Sequence, residues 1–210
     1  MTPADTLARG VESLRVDLPP EAMRKLLAYV DLLAKWNRIY NLTAIREPER
    51  MVSHHLIDSL AVLPHIGPGT LLDVGAGGGL PGIPIAIAQP QRSVTLNDSN
   101  HKKAAFMQQA AIELDLPNVE VHIGRVERWR PALQFDGAIS RAFAELGDFI
   151  AACRHLVKPG GFYAAMKGVY PHDELFKLPA DVKCDVPVRL AVPMVEGERH
   201  LVLCRAGAQG

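Results

Sequence analysis

The feature that most constrains this chain is the run Asp73-Val74-Gly75-Ala76-Gly77-Gly78-Gly79-Leu80-Pro81-Gly82. A short apolar segment, Leu71 to Val74, precedes it, and Ile83 to Ala88 reads as a helix after it. A glycine loop between a strand and a helix lets backbone pass close to a ligand with no Cβ in the way. The frame here is GxGxG. A dinucleotide fingerprint needs a third glycine where Leu80 stands, which leaves less provision for a pyrophosphate and favours S-adenosylmethionine over NAD. An acid at the end of the next strand, about 20 residues on, is expected to accept hydrogen bonds from ribose hydroxyls. Asp98 stands there, followed by Ser99. Gly75, Ala76, Gly77, Asp98 and Ser99 are therefore the first candidate cofactor-binding residues. Asp73 keeps two readings, one as an acid satisfying loop amides and one as a ligand contact.

Short apolar runs recur after the loop, at Val94 to Leu96, Val119 to Ile123, Phe135 to Ile139 and Phe162 to Met166. Such segments suit strands buried on both faces of a parallel sheet. Helical stretches at Lys102 to Leu114 and Leu146 to Val157 alternate with them, as right-handed crossovers of a doubly wound sheet require. The remainder, Val182 to Val192 and His200 to Cys204, has no room for a crossover helix and predicts an antiparallel hairpin at the sheet edge. The expected core is thus a Rossmann-like α/β unit with a mostly parallel, seven-stranded sheet, spanning residues 67–210.

Residues 1–66 predict a helical cap. From Pro19 to Tyr40 the apolar residues Met23, Leu26, Leu27, Val30, Leu33 and Trp36 recur at helical spacing, and Glu47 to His65 shows a comparable pattern. The 210 residues suffice for one α/β unit with this appendage. The 23 basic and 23 acidic side chains cancel, so attraction of a polyanion must rest on local clusters. Lys102, Lys103, Arg125, Arg128 and Arg130 form such a set near predicted strand ends, suited to tracking phosphates. Cys153, Cys184 and Cys204 are odd in number and widely spaced, so neither a disulfide framework nor a metal site is expected. With no signal peptide and no long apolar run, a cytoplasmic location without a membrane association is expected.

Several further runs carry a resemblance: Trp36-Asn37, Tyr40-Asn41-Leu42-Thr43, His55 with Asp58-Ser59, Asp73 to Pro84, Asp98-Ser99, Arg125-Val126-Glu127, Phe135 to Ala142, and Gly197 to Leu201. From about residue 20 to 204 the chain resembles the bacterial small-subunit ribosomal RNA guanine-N7 methyltransferases, the RsmG or GidB family. The resemblance implies methyl transfer from S-adenosylmethionine to N7 of a guanine in 16S ribosomal RNA, leaving S-adenosylhomocysteine. It also implies cofactor positions at Gly75, Leu80, Val126, Glu127 and Arg141. Where members often carry Arg-His before Asp-Ser, this chain has His54-His55, which exchanges a permanent charge for a titratable one.

Guanine N7 already carries a lone pair, so no general base is required and alignment becomes the enzyme's task. The residues expected to provide it are Arg141 after the fourth strand, Lys167 after the fifth, and Asn41 and His55 from the cap. Arg141 suits either the cofactor carboxylate or a target phosphate, and a surface salt bridge is its plain alternative. The expected partner is 16S ribosomal RNA or the small ribosomal subunit, met by a monomer. A small-molecule methyltransferase and a non-catalytic ribosome-binding protein stand as the competing functions.

Overall fold

The computed structural model describes residues 1–207 except 142 and 144; Ala142, quoted in the fourth-strand motif, therefore lies outside the described residues. The chain opens with helix α1 (Pro3–Leu14), within the expected helical cap but ahead of the two helical stretches singled out in it. Its start is a capping box: Thr2 Oγ1 accepts from the Asp5 amide at 3.1 Å, and the Asp5 carboxylate accepts from the Thr2 amide at 3.1 Å. Helix α2 (Pro20–Tyr40) begins at a proline, whose missing N–H costs nothing there, and ends where Asn41 turns left-handed at φ 49°. Next come α3 (Pro48–Met51), a π-helical segment Val52–Ile57, and α4 (Asp58–Leu60). The single helix expected there is thus interrupted by a π segment. Its wider turn resets the helical phase.

Beyond the cap the described strands and helices run β1 (Leu71–Val74), α5 (Gly82–Ala88), β2 (Val94–Asp98), α6 (His101–Glu113), β3 (Val119–Ile123), β4 (Phe135–Ser140), α7 (Leu146–Cys153), β5 (Val157–Lys167), α8 (His172–Phe176), β6 (Val182–Cys184), β7 (Val188–Arg189) and β8 (His200–Ala206). The sheet order is β3-β2-β1-β4-β5-β8-β6, with β7 also on β8. β3, β2, β1, β4 and β5 pair in parallel, whereas β8 is antiparallel to β5. This is the doubly wound arrangement the alternation predicts. Two details differ. The sheet has eight strands, because the Val182 to Val192 stretch breaks into β6 and β7, which lie end to end along the outer edge of β8. β3 is half exposed, as an edge strand must be, while β1 and β2 are fully buried.

One apolar core joins the cap to one face of the sheet: Leu7, Leu26, Tyr29, Leu33, Met51 and Leu56 pack with Leu71, Ile83 and Phe106. α7 covers the other face through Leu146, Phe149 and Cys153. The expectation of unpaired cysteines is corrected by a Cys184–Cys204 disulfide, while Cys153 is free and buried. Antiparallel register is the cause, since it sets Cys184 opposite Cys204, a proximity hidden by their 20-residue spacing.

Candidate functional site

The glycine run leaves the carboxyl end of β1 as a tight turn in which the Gly79 and Leu80 amides both bond to Ala76 O, at 2.8 and 2.9 Å. Gly77 has φ 61°, a left-handed conformation that suits glycine. Its amide donates to Asp98 Oδ2 at 3.0 Å, which joins the loop to the end of β2. Asp98 Oδ1 accepts from the Asn100 amide at 2.8 Å, and the residue is 7% exposed. Both oxygens keep acceptor capacity beyond these bonds.

Asp73 lies beneath the loop, fully buried, with Oδ2 accepting from the Gly82 amide at 2.7 Å. Gly82 is tightly packed, because a Cβ there would meet that carboxylate oxygen at 2.8 Å and Leu96 closer still, and one of these side chains would have to move. The loop-amide reading of Asp73 is therefore realised. Its Oδ1 has no hydrogen-bond partner among the described residues, and burial pushes its pKa up to about 7 despite the Gly82 bond. The cap fastens the loop from the other side, where the buried Tyr29 hydroxyl donates to Gly78 O at 2.5 Å.

Other expected cofactor residues gather along the same rim. The Gly124 amide bonds to Asp98 O at 3.1 Å, which brings the turn after β3 beside β2. On that turn Val126 is buried, whereas Glu127, Arg125 and Arg128 are exposed, as is Ser99. Lys103 sits 3.9 Å from Asp98 and Lys102 is exposed at the start of α6. Arg130 is engaged by Glu127 O and Trp129 O, both at 2.8 Å.

A second group forms around a cavity of about 330 Å³ between the cap and the carboxyl ends of β4 and β5. His55, Arg141 and Lys167 line it, together with Asp58, Arg199 and His200. His55 Nε2 meets Thr43 Oγ1 at 2.8 Å while Nδ1 lies 3.1 Å from His54 O, an arrangement that fits a neutral ring with its proton on Nδ1. Burial, reinforced by the Arg141 charge, lowers its pKa to about 3. Arg141 Nη1 stands 3.6 Å from Asp58 Oδ2, and Arg199 Nε stands 3.4 Å from Asp58 Oδ1. Asp58 is 4% exposed, and burial raises its pKa against the pull of both arginines. Lys167 Nζ bonds to Glu174 Oε2 at 2.6 Å and to Phe143 O at 3.2 Å.

Asn41 does not join this group, since it is exposed at the end of α2 and its amide bonds back to Asn37 O at 3.3 Å. The neighbouring Asn37 is the organiser there: it is buried, accepts from the Thr43 amide at 2.9 Å and donates to Ile45 O at 3.1 Å. Asp58, Arg199 and His200 received no role from the sequence, although they stand in quoted runs. A usable signal was present in the second cap helix, where His55, Asp58 and Ser59 interrupt an otherwise apolar face.

Residues 22–202 match the family described as rRNA small subunit methyltransferase G. Ribosomal RNA small subunit methyltransferase G of Neisseria meningitidis serogroup A is 53% identical over 95% of this chain and 96% of its own length. The protein of that name from Pseudomonas paraeruginosa is 50% identical over 98% and 96%.

The chain belongs to this family. The family match covers the glycine loop, Asp98 and all six cavity residues named above, and leaves α1 outside it. Solved structures agree on the fold. A SAM-dependent methyltransferase from Aquifex aeolicus covers 82% of this chain and 97% of its own, with a TM-score of 0.58 at 19% identity. TrmN from Thermus thermophilus covers 81% of this chain and 53% of its own, with a TM-score of 0.61 at 18% identity. The architecture is that of the class I methyltransferases.

Proposed function

We propose that this chain transfers a methyl group from S-adenosylmethionine to N7 of one guanine in 16S ribosomal RNA of the small subunit. Membership of the small-subunit ribosomal RNA methyltransferase G family supplies the reaction class and the RNA. The observation that carries the cofactor assignment is the Gly77–Asp98 bond, which sets a buried carboxylate beside a side-chain-free turn at the carboxyl ends of β1 and β2. Ligands of open α/β sheets bind at that edge.

The donor supplies a methyl group on a sulfonium, an electrophile that needs no activation. The residues present fit it. Asp98 and Ser99 would take the ribose hydroxyls, and the backbone of Gly75, Ala76, Gly77 and Leu80 would line the cleft. Val126 and Glu127 would flank the far end, and Arg141 would face either the donor carboxylate or a target phosphate. Asp73, with its unpartnered Oδ1, would support the loop from below.

Guanine N7 attacks with its own lone pair and loses no proton, so the chain's residues have only to position the base and exclude water. His55 agrees with this chemistry: with its pKa near 3 it is a poor proton acceptor at neutral pH and serves as a neutral wall of the cavity. Lys167 and Arg141 bring positive charge to the cavity rim. Arg125, Arg128, Lys102 and Lys103 extend it across the surface along which RNA would approach. Among the described residues no helix is long and apolar enough to cross a membrane. We infer a monomer acting in the cytoplasm on the small subunit or its RNA.

Mass spectrometry of ribosomal RNA from cells with and without the gene tests the assignment. Loss of one 7-methylguanosine from 16S RNA is the expected result. An unchanged modification set would overturn it, and would favour a small-molecule acceptor or a purely binding role.

A further inference from the structure

The cavity wall contains a carboxylate whose bonding is incomplete. Asp58 is 4% exposed, yet among the described residues Oδ1 accepts no hydrogen bond. Its two arginine neighbours stand at 3.6 and 3.4 Å, longer than the roughly 2.7 to 2.9 Å of a charge-assisted hydrogen bond. The nearby Lys167–Glu174 pair closes to 2.6 Å, so tight pairing is within reach of this region. A buried carboxylate oxygen left unsatisfied is costly, and the cost is relieved by a ligand that brings a donor to it. His200 Nδ1, in the same wall, is a second buried polar atom without a hydrogen bond among the described residues.

We propose that Asp58 reads the target base, its carboxylate accepting hydrogen bonds from the N1–H and the N2 amino group of guanine. The proposal rests on the guanine reading given above. A carboxylate is an acceptor only. Guanine offers two donors side by side on its Watson–Crick edge, whereas adenine offers an acceptor at N1 and no amino group at C2. A cavity of about 330 Å³ lies within the range of small-ligand sites. An unstacked base entering such a pocket is read on its Watson–Crick edge, which leaves N7 free on the opposite side of the ring. The Arg141 and Arg199 charges oppose the effect of burial on Asp58 and hold its carboxylate in the cavity wall, so they act as positioning residues.

The same contact assists the reaction. Alkylation at N7 leaves the base positively charged and makes N1–H a stronger donor. Its bond to Asp58 therefore strengthens between ground state and transition state, the condition under which an interaction raises kcat.

The test uses small-subunit RNA ligated with either guanosine or inosine at the methylated position, assembled into particles where naked RNA is inactive. Inosine keeps N7, O6 and N1–H and lacks only the amino group. The wild-type enzyme is expected to lose about ten- to hundredfold in kcat/KM on the inosine substrate, the effect of one hydrogen bond to a charged group. Asp58→Asn is expected to lose activity on guanosine RNA and to treat the two substrates alike. In the presence of S-adenosylhomocysteine, wild-type protein is expected to bind guanosine RNA more tightly than inosine RNA, and Asp58→Asn to bind both equally. Calorimetry with S-adenosylhomocysteine establishes that the variant folds; if it does not, the wild-type comparison alone decides. Equal wild-type kcat/KM on both substrates overturns the proposal. An Asp58→Asn enzyme that is slower yet keeps the wild-type ratio also overturns it, and reduces Asp58 to a holder of arginines. Both results leave the guanine-N7 reading intact. Failure of the wild-type enzyme to methylate the guanosine substrate overturns that reading and this proposal together.

Discussion

The Gly77 amide and the Asp98 carboxylate, 21 residues apart in the chain, meet at 3.0 Å and fix the turn after β1 against the end of β2. Replacing Asp98 with alanine removes both this bond and the acceptor offered to ribose. S-adenosylhomocysteine affinity is expected to fall by about 1.5 to 3 kcal/mol, the range for hydrogen bonds to a charged group. Titration calorimetry measures it, and unchanged affinity would take Asp98 out of the site.

Asp73 should give apo stability a distinctive pH dependence. Its folded pKa is raised by burial from 3.8 to about 7. The contribution of this group is thus fully present below pH 3.8 and is lost as pH rises towards 7. Asp73→Asn keeps an oxygen for the Gly82 amide and does not titrate. Relative to it, wild-type protein should lose up to about 1.4 kcal/mol per pH unit over this window. Urea denaturation at several pH values reads the gap, and a gap independent of pH contradicts the assignment. His55 acts in the opposite sense, because its folded pKa is lowered from 6.5 to about 3, so its contribution is present above pH 6.5 and is lost as pH falls.

Turnover should be nearly flat across mildly alkaline pH. Guanine N7 needs no deprotonation, and His55 is neutral throughout. A steep rise in kcat following a single ionisation would show that a base takes part.

Arg141 separates two roles that Arg125 and Arg128 do not share. The latter two are exposed beside β3, while Arg141 faces Asp58 at the cavity. Alanine at a phosphate-contacting arginine lowers the slope of log affinity against log salt by about 0.7 to 0.9. That change is expected for Arg125 and Arg128. For Arg141→Ala the paired measurement is S-adenosylhomocysteine affinity: its loss with an unchanged salt slope assigns Arg141 to the cofactor, and the reverse assigns it to RNA. A variant normal in both measurements leaves Arg141 as a salt bridge to Asp58.

The Cys184–Cys204 disulfide joins β6 to β8 across a 20-residue separation. Closing a loop of this size stabilises a fold by about 3 kcal/mol in the chain-entropy description. Cys184→Ser should be less stable than wild type by about that amount under oxidising conditions. In reducing buffer the two should converge in chemical denaturation, and a difference that persists there would come from packing instead.

Local pattern alone determined the strand-loop-helix around Gly75, the acid at Asp98, the amphipathic α2 and the alternation of strands with helices. These features repeat or follow one another within a few dozen residues, and hydrophobic period and glycine placement report them directly. The quoted runs also carried the family. Other features depend on which segments meet in space. β6 and β7 share one edge of β8, and Cys184 faces Cys204, because antiparallel register sets residues opposite one another irrespective of their distance along the chain. Asn37 and Asn41 stand in neighbouring quoted runs and only Asn41 was given a role, yet burial made Asn37 the organiser and left Asn41 at a helix end. Asp58 is the plainest case. Its neighbours Arg141 and Arg199 come from the end of β4 and the approach to β8, and only the packing of the cap against the sheet brings all three to one cavity wall.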